Sequence, residues 1–354
     1  MADALKVAIN GLGAIGQAHI KGFQGAGAVI VAAADPAEPA REKTKAAVPG
    51  IKLYESLEAM LKAGGFDAVV VATPNKFHPP NTIAAIKAGF HVLCEKPIAT
   101  NRTDADKMVA AADKAGKVLM IGTQFRLLPV SRKIRSLVDA GYFGGIYHAR
   151  ASVIRQRGIP GMGGWFTNRE VAGGGAIYDI GIHTYDHVWY CMGCPEPVAV
   201  SAMTYSKFMD MDAYVYSGMW AGPPKKGGTC DVDDAGFALV RYANGASMLL
   251  EVTWAANRPN EAMRGLIMGD KKGASWEAGK DTFTVVGQDE KSGLVEETQV
   301  SFDKAGYPDR WQHFIECVQK GVPCLVSGSD IAKVQAVLDA VYQSSEKGAE
   351  VRIE

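Results

Sequence analysis

The sequence predicts an α/β protein of two domains, in which a parallel sheet is followed by a mainly antiparallel one. In the first third of the chain, short runs of β-branched residues alternate with helical segments, beginning with KVAIN (6–10) and AIGQAHIKGFQGAG (14–27). These strands are almost continuously apolar, which is typical of a parallel sheet buried under helices on both faces. At 354 residues the chain is long enough for two separate cores.

The elements of the first domain follow in regular order. We predict further strands at 28–35, 67–74, 91–95 and 118–122, and helices at 56–64, 79–89 and 103–115. Ser56 and Thr103 stand where helix N-caps are expected. The alternation of β and α elements therefore predicts one parallel sheet within residues 1–125.

The pattern changes after this first domain. A helix near 131–141 leads into the alternating strand IYHARASVI, and the Asn244-Gly245 turn predicts a hairpin over 237–255. Further strands are expected near 263–269, 281–287 and 296–302, followed by helices near 309–320 and 330–346. The predicted second domain is therefore 126–325, and a C-terminal helix and tail, 326–354, is expected to pack back near the first domain.

Composition argues against several kinds of partner. The 38 Lys and Arg residues balance 38 Asp and Glu residues, and no basic run is interleaved with aromatics, so neither nucleic acid nor an anionic membrane is expected. The chain begins without a signal pattern and has no apolar run long enough to cross a bilayer, which predicts a cytoplasmic protein. The six cysteines, including the C-x-x-C of Cys191 and Cys194, are expected to be reduced thiols rather than a zinc site or a disulfide framework.

A glycine-rich turn joins the first strand to the first helix. GLGAIG places Gly11, Gly13 and Gly16 where a tight turn, a close approach by pyrophosphate and close helix packing would require them, with Ala14 and Ile15 between. Asp35 ends the next strand, where a carboxylate would bind a ribose diol. We therefore predict dinucleotide binding. Asp35 would repel a 2′-phosphate, so NAD is preferred over NADP, although Arg41 and Lys43 follow closely in sequence.

Two further segments stand at the carboxyl ends of predicted strands, ATPNKFH (72–78) and CEKP (94–97). Ligands of doubly wound sheets bind at these strand ends, so both segments should lie beside the cofactor. The proline of CEKP indicates a special turn with a possible cis bond. Outside the glycine turn, the predicted cofactor contacts are Thr73, Pro74, Asn75, His78, Glu95, Lys96 and Gln124.

Several of these motifs, taken together, resemble one known family. GLGAIG, TPNKFH, EKP, GTQFRLLP (122–129) and GGGAIYDIGIHTYD occur in the order found in the Gfo/Idh/MocA family of glucose–fructose oxidoreductase and inositol dehydrogenases. The similarity spans essentially the whole chain. It implies an N-terminal Rossmann domain and a C-terminal α/β domain on a large, mostly antiparallel open sheet. In that family the open sheet commonly forms the oligomer interface, which implies a homodimer or homotetramer.

The resemblance also assigns three catalytic residues. It places the lysine of the EKP motif at Lys96, and the aspartate and histidine of the D-x-G-x-H motif at Asp179 and His183. In many family members these groups surround the reacting carbinol. The chemistry is consistent, because a histidine can remove the hydroxyl proton and a lysine can stabilise the alkoxide. Asp179 would orient the imidazole or bind a neighbouring hydroxyl.

The helix that carries this motif also permits other interpretations. A helical wheel places Asp179, His183, Asp186 and His187 on one side, which an ordinary amphipathic helix with a wet face would explain equally well. Histidines at i and i+4 can share a metal ion. With a nicotinamide and Lys96 present a cation would be redundant, so we expect no metal, and we expect Asp186 to help bind substrate while His187 has a hydrogen-bonded partner.

The loop before this helix, RQRGIPGMGGWFTNRE (155–170), is the predicted substrate wall. Arg155, Arg157 and Trp165 are expected to contact a sugar, together with Arg126 of GTQFRLLP. The loop and DVDDAGFALVRYANGASMLLEVTWAAN resemble members that oxidise the C3 hydroxyl of glucosides. Two alternatives stay open: a redox-neutral, NAD-dependent glycosidase that works through a 3-keto intermediate, and a non-catalytic nucleotide-binding regulator.

Overall fold

The computed structural model describes residues 3–219, 221–289 and 291–353. The chain divides into two compact units, of which the first comprises Met1–Gly122 and Pro308–Ala332, and the second Thr123–Tyr307 and Lys333–Glu354. Two predicted boundaries differ from the structure: residues 308–325, expected in the second domain, belong to the first unit, and from Lys333 onward the C-terminal segment belongs to the second unit. Its last strand adds to the sheet of that unit, which is the physical reason for the second difference.

Fifteen strands and ten α-helices are assigned among the described residues. The strands are β1 Lys6–Asn10, β2 Val29–Ala34, β3 Lys52–Tyr54, β4 Ala68–Val71, β5 His91–Cys94, β6 Leu119–Ile121, β7 Ile146–Ile154, β8 Pro197–Tyr205, β9 Ala235–Tyr242, β10 Ser247–Thr253, β11 Glu261–Gly269, β12 Lys272–Glu277, β13 Thr282–Gln288, β14 Val295–Ser301 and β15 Val351–Arg352. The helices are α1 Ala14–Gly25, α2 Glu38–Ala47, α3 Leu57–Ala63, α4 His78–Lys87, α5 Arg102–Ala115, α6 Pro129–Asp139, α7 Arg169–Ala172, α8 Ile182–Cys191, α9 Arg310–Lys320 and α10 Gly328–Lys347.

The first unit contains the predicted parallel sheet. Its six strands lie in the order β3-β2-β1-β4-β5-β6, and every neighbouring pair is parallel. All four residues of β4 are buried, which explains its continuously apolar sequence. Ser56 caps α3 as predicted, accepting a bond from the Ala59 N–H over 3.2 Å. The predicted cap Thr103 is wrong, because Asn101 caps α5 by accepting from the Asp104 N–H over 2.9 Å.

The second unit is built on a nine-stranded sheet in the order β14-β13-β12-β11-β7-β10-β9-β8-β15. The strands pair antiparallel except for β7 and β10, which are parallel. The hairpin predicted around Asn244-Gly245 is confirmed as β9 and β10. Helix α8 packs against β7, β10 and β11. The fold class predicted from the sequence is confirmed for both units.

A single turn of π-helix, Ile177–Gly181, leads directly into α8. The sequence predicted a regular helix here, and the wider turn was not anticipated. Such turns are rare and often occur at functional sites. Among the described residues, no helix combines the length and the apolar composition needed to cross a membrane.

Candidate active site

The glycines of the first turn have different structural roles. Gly11 has φ +98°, and a Cβ added there would lie 2.6 Å from the Ala72 carbonyl oxygen. A Cβ added at Gly16 would lie 2.0 Å from the Gly11 carbonyl oxygen. At Gly13, by contrast, an added Cβ would meet no protein atom within 4 Å. Packing therefore requires Gly11 and Gly16, whereas the bare surface at Gly13 is available to a ligand.

This loop fits a dinucleotide. Gly13, Ala14 and Ile15 are exposed at the start of α1, where backbone N–H groups without helical partners favour an anion. Asp35 is half-buried at the end of β2, and its Oδ2 accepts a hydrogen bond from the Leu12 N–H over 2.7 Å. The Ala37 N–H donates to Oδ1 over 2.8 Å. The carboxylate is thus fixed beside the glycine turn, as ribose binding would require.

Arg41, which lies near Asp35 in sequence, is engaged by neighbouring groups. Its Nη1 donates to the carbonyl oxygens of Asp35 and Pro36 over 2.8 and 2.9 Å. Its Nη2 donates to Glu55 over 3.4 Å. A 2′-phosphate would have to compete with these bonds for the guanidinium.

Glu95 supports the loop that carries Lys96. The Glu95 side chain is buried, and its Oε1 lies 2.9 Å from His19 Nε2 on α1 and 3.1 Å from Arg310 Nη1 on α9. Burial opposes ionisation of the carboxyl, but the bond to His19 and the charge of Arg310 hold the pKa of Glu95 well below its usual range. Both partners face Oε1, whereas Oε2 accepts a bond of 3.2 Å from the Lys96 N–H, so the predicted contact of Glu95 with the cofactor stays a prediction.

His19 completes this cluster. Its Nδ1 accepts the indole N–H of Trp311 over 3.1 Å, which leaves Nε2 to donate to Glu95. Burial lowers the pKa of His19, so the ring is neutral. Lys96 follows Glu95 directly, is half-buried, and forms a cis peptide bond with Pro97.

The TPNKFH segment is divided between exposed and buried residues. Thr73 and Pro74 are half-buried, but Asn75 and His78 are buried. The ring nitrogens of His78 face the carbonyl oxygens of Pro97 and Thr73, each over 2.7 Å. His78 therefore links the segment after β4 to the segment after β5. Its prediction as a cofactor ligand is corrected, because both polar atoms of its ring face the backbone.

In the second unit, Asp179 and His183 are distinguished by exposure. From Gly174 to Met192 every residue is buried except these two, which are half-buried. Asp179 lies in the π turn and His183 in the first turn of α8. The predicted catalytic pair is thus the only part of this segment that reaches the surface of the unit.

Both side chains are positioned by aromatic residues. The Trp254 indole, fully buried just after β10, donates its N–H to Asp179 Oδ2 over 2.9 Å. Phe125 packs against the ring of His183, with ring centroids 5.1 Å apart and an interplanar angle of 67°. The arrangement presents one carboxylate and one imidazole in restricted orientations, as acid/base chemistry requires.

The glycines before the π turn allow a close approach to Asp233. A Cβ at Gly175 would lie 1.9 Å from the Asp233 carbonyl oxygen. The Asp233 carboxylate in turn accepts from the Gly175 and Ile177 N–H groups over 2.7 and 3.0 Å, and from the Tyr342 hydroxyl. Asp233 thereby satisfies the first N–H groups of the helical segment and fixes its direction.

Asp186 and His187 do not lie on a wet face, so that interpretation of the helix is wrong. Both are fully buried. Arg126 donates to Asp186 Oδ1 from Nε over 2.8 Å and from Nη2 over 2.6 Å, and its guanidinium packs on Trp189 and Tyr190. Arg126 and Asp186 were predicted to bind substrate. Their burial and their ion pair assign them instead to holding the segment 124–127 against α8.

His187 is enclosed by α6, β12 and Phe125. Its Nε2 accepts the indole N–H of Trp276 over 3.0 Å and lies 2.8 Å from the Ser131 hydroxyl. Burial lowers the pKa of His187 to about 3. A neutral ring surrounded by protein in this way is a structural group of the second unit, and its Nε2 lone pair is already used.

The substrate-loop residues are held to different degrees. Arg157 donates to the carbonyl oxygens of Gln156 and Ala256 and to Asn257 Oδ1, and it lies over the ring of Phe208. Arg155 makes a long bond of 3.5 Å to the Gly158 carbonyl. Trp165 stacks on its neighbour Phe166, with centroids 3.8 Å apart. Arg155 and Trp165, both half-buried, and the half-buried Gln124 keep their predicted roles as proposals.

Sequence reasoning missed the supporting residues His19, Arg310, Trp254 and Asp233. Each acts on a residue far away along the chain; the partners Glu95 and Arg310, for example, are 215 positions apart. A short sequence motif identifies its own residues, but it does not identify residues from distant parts of the chain that contact them. The acidic run DVDD contains Asp233, but the run alone does not show that this aspartate is buried and bonded to backbone N–H groups of a distant segment.

The two units correspond to two family models. Residues 5–123 match an oxidoreductase family model with an NAD-binding Rossmann fold, and residues 131–275 match the GFO/IDH/MocA C-terminal domain. The chain therefore belongs to the Gfo/Idh/MocA family of oxidoreductases, and its first unit is an NAD-binding Rossmann domain.

Individual relatives are sugar and polyol enzymes. The chain is 33% identical over 305 residues to D-glucoside 3-dehydrogenase of Escherichia coli K12, covering 85% of this chain and 83% of the relative. It is 36% identical over 172 residues to 1,5-anhydro-D-fructose reductase of Ensifer adhaerens, covering 48% and 50% of the two chains.

Solved structures share the fold over nearly the full length. Levoglucosan dehydrogenase in complex with NADH and levoglucosan superposes with a TM-score of 0.86 at 22% identity, covering 99% of this chain and 100% of that one. Aldose-aldose oxidoreductase from Caulobacter crescentus, complexed with glycerol, gives 0.79 at 25% identity with the same coverage.

Proposed function

We propose that this protein is an NAD-dependent dehydrogenase that oxidises a secondary alcohol of a sugar, glycoside or polyol, with the C3 hydroxyl of a glucoside as its preferred target. The observation that carries the proposal is the exposure pattern around the π turn. In a segment otherwise buried from Gly174 to Met192, only Asp179 and His183 are half-exposed. A regulator that only bound nucleotide would not need an acid/base pair that is exposed in an otherwise buried segment.

In the proposed reaction His183 removes the proton of the substrate hydroxyl, and returns it when the reaction runs in reverse. A positioned base of this kind contributes about 10²- to 10⁴-fold to the rate. Asp179, held by Trp254, orients the imidazole or binds a neighbouring hydroxyl of the substrate. Lys96 supplies a positive charge that stabilises the alkoxide as it forms.

The cofactor would be held by the first unit. Gly11, Gly13 and Gly16 and the N-terminus of α1 would hold its pyrophosphate, and Asp35 its adenosine ribose. NAD, when bound, accepts the hydride that the carbinol carbon releases. The preference for NAD over NADP is supported by the fixed Asp35 carboxylate and by the bonds that engage Arg41.

The choice of a glucoside is supported by the relative with the longest shared sequence among those described above, which is named D-glucoside 3-dehydrogenase. Arg155 and Trp165 are the proposed contacts to the sugar, and Gln124 is a proposed contact to the cofactor. Trp165 would offer an aromatic face to the apolar face of a pyranose, as its stacking on Phe166 leaves one ring face on the outside of the pair.

The proposal is tested by incubating the purified protein with NAD or NADP and a panel of glucosides, inositols and free sugars. Reduced nicotinamide and released aglycone are both measured. We expect reduced cofactor in proportion to oxidised glucoside, without aglycone, and a higher kcat/KM with NAD. Aglycone release with only catalytic NAD would replace the dehydrogenase by the glycosidase, and absence of turnover with every compound would favour the regulator.

The residue roles are tested with Lys96→Ala and His183→Ala, using His148→Ala as the matched control. His148 is a half-buried histidine of β7 that bonds to Ser247. The first two variants should lose about 10²- to 10⁴-fold in kcat/KM while their affinity for NAD stays within a few-fold. Loss of NAD affinity in the His183 variant, or equal loss of rate in the control, would contradict the assignment.

A further inference from the structure

A cluster of three metal-ligand side chains lies in the first unit, at the end of α9. His313 and Cys317 stand four residues apart and therefore share one face of that helix. The helix ends at Gly321, which is left-handed at φ +66°, and the chain turns back to bring Cys324 to the same place. The imidazole nitrogen and the two sulfur atoms all lie within 4.8 Å of one another.

The distances suit a tetrahedral ion. Zinc binds thiolate sulfur at about 2.3 Å and imidazole nitrogen at about 2.0–2.1 Å, so a sulfur and a nitrogen on one tetrahedral ion lie about 3.6 Å apart. Cys317 Sγ and His313 Nε2 are separated by 3.5 Å. Two thiolates and one imidazole form a donor set that zinc and similar cations prefer over magnesium or calcium.

The cluster differs from the other cysteines of the chain. Among the described residues it is the only group of three His, Cys, Asp or Glu side chains with ligand atoms gathered in this way. The C-x-x-C pair has the spacing that is more typical of zinc ligands, but its Cys191 is fully buried near the carbonyl oxygen of Ser131. The cluster of His313, Cys317 and Cys324 is therefore brought together by α9 and the turn after it. Their spacing in the sequence does not by itself indicate a metal site.

Solvent can reach the cluster. Cys317 and Cys324 line a surface depression of about 290 Å³ whose walls include Asp113, Lys117 and Ser327. Three protein ligands would leave the fourth tetrahedral position for water. The Leu325 N–H donates to His313 Nε2 over 3.0 Å, and a cation would have to displace this bond. The displacement should make binding weaker than at a closed four-ligand site.

We propose that His313, Cys317 and Cys324 bind one zinc-class divalent cation that fastens the C-terminal end of α9 to the turn after it. The other end of α9 carries Arg310 and Trp311, which bond to Glu95 and His19. The cation would thus stabilise the helix that supports the Lys96 loop, without entering the chemistry. The proposal is independent of the function proposed above.

The test uses the full-length, reduced and metal-free protein, titrated with Co²⁺ as a spectroscopic substitute for Zn²⁺. We expect thiolate-to-cobalt charge transfer and the visible bands of a tetrahedral site at one equivalent, both abolished by added Zn²⁺. Cys317→Ser/Cys324→Ser should remove these bands, whereas the matched pair Cys191→Ser/Cys194→Ser should keep them. His313→Gln should weaken binding at least about tenfold, because one of three ligands is lost.

A second measurement, of thermal stability, tests the proposal even if the double variant folds poorly. Cys324→Ser alone changes a half-buried side chain, and Zn²⁺ should raise the Tm of the wild type but not of this variant. The proposal is overturned if the wild type gives no tetrahedral cobalt spectrum, or if the spectrum survives in Cys317→Ser/Cys324→Ser. It is also overturned if the C-x-x-C double variant loses the spectrum while remaining folded.

Discussion

Trp254 donates its indole N–H to Asp179 Oδ2 over 2.9 Å, from a position 75 residues further along the chain. The indole is fully buried, whereas the carboxylate that it holds is half-exposed. The segment directly after β10 therefore fixes one oxygen of the proposed acid/base pair.

Trp254→Phe should lower kcat/KM about tenfold or more, because a hydrogen bond to a charged group contributes about 1.5–3 kcal/mol. The variant should also change the pH profile of kcat, which a purely structural loss would not. Trp276→Phe is the matched control, since it removes an equivalent indole bond from His187, a buried structural group one turn along α8 from His183. Equal pH profiles for the two variants would contradict a positioning role for Trp254.

Gly13→Ala and Gly16→Ala should fail for different reasons. An added Cβ at Gly13 meets no protein atom within 4 Å, so the variant should fold normally and lose affinity for NAD, which calorimetric titration would measure. At Gly16 the Cβ would lie 2.0 Å from the Gly11 carbonyl, so stability should fall as well. Gly25→Ala, also in open space, is the control. Unchanged NAD affinity in Gly13→Ala would place the pyrophosphate elsewhere.

Breaking the buried pair of Arg126 and Asp186 should destabilise the second unit. Arg126→Met leaves an uncompensated buried carboxylate, at a cost of about 3–5 kcal/mol in the free energy of unfolding. The double variant Arg126→Met/Asp186→Leu should recover much of this loss, as measured by urea unfolding. If Arg126 instead bound substrate, Arg126→Met would raise KM at unchanged stability, and Asp186→Leu would not compensate.

The buried Arg310–Glu95 pair should matter far more than an exposed ion pair. Arg310→Met should lower the free energy of unfolding by about 3 kcal/mol, because Glu95 keeps its charge in a site only about a tenth exposed. Arg102→Met, which breaks the exposed pair with Asp106, should cost about 0.5 kcal/mol or less. Chemical unfolding of both variants measures the difference, and comparable losses would contradict the supporting role of Glu95.

His187 should make the protein less stable in acid. Its pKa is about 3 when folded and 6.5 when exposed, so between these values only the unfolded chain takes up the proton, and unfolding becomes easier as the pH falls below 6.5. At pH 5 the loss would be about 2 kcal/mol. His187→Gln should remove this dependence in unfolding experiments at about pH 7.5 and 5, whereas the half-buried His148→Gln should remove less of it.

The sequence predicted the architecture well because its signals are local. Apolar strands, the glycine turn and the hairpin at Asn244-Gly245 each depend on a few neighbouring residues. Burial of the polar side of α8 could not be predicted in this way. Its wheel gave Asp186 and His187 a wet face, but Arg126, Ser131 and Trp276 cover them from other elements. One helix considered alone cannot show whether one or both of its sides are packed.

The π turn from Ile177 to Gly181 makes the direction of Asp179 sensitive to chain length. A π turn contains more residues than an α turn, and each residue of an α-helix turns the chain by about 100°. Deleting a single residue there would allow a regular α-helix, but it would rotate everything upstream relative to His183. Insertions and deletions in this segment are thus more damaging than most substitutions. They change the directions in which the side chains of the helix point, although the side chains themselves are unchanged.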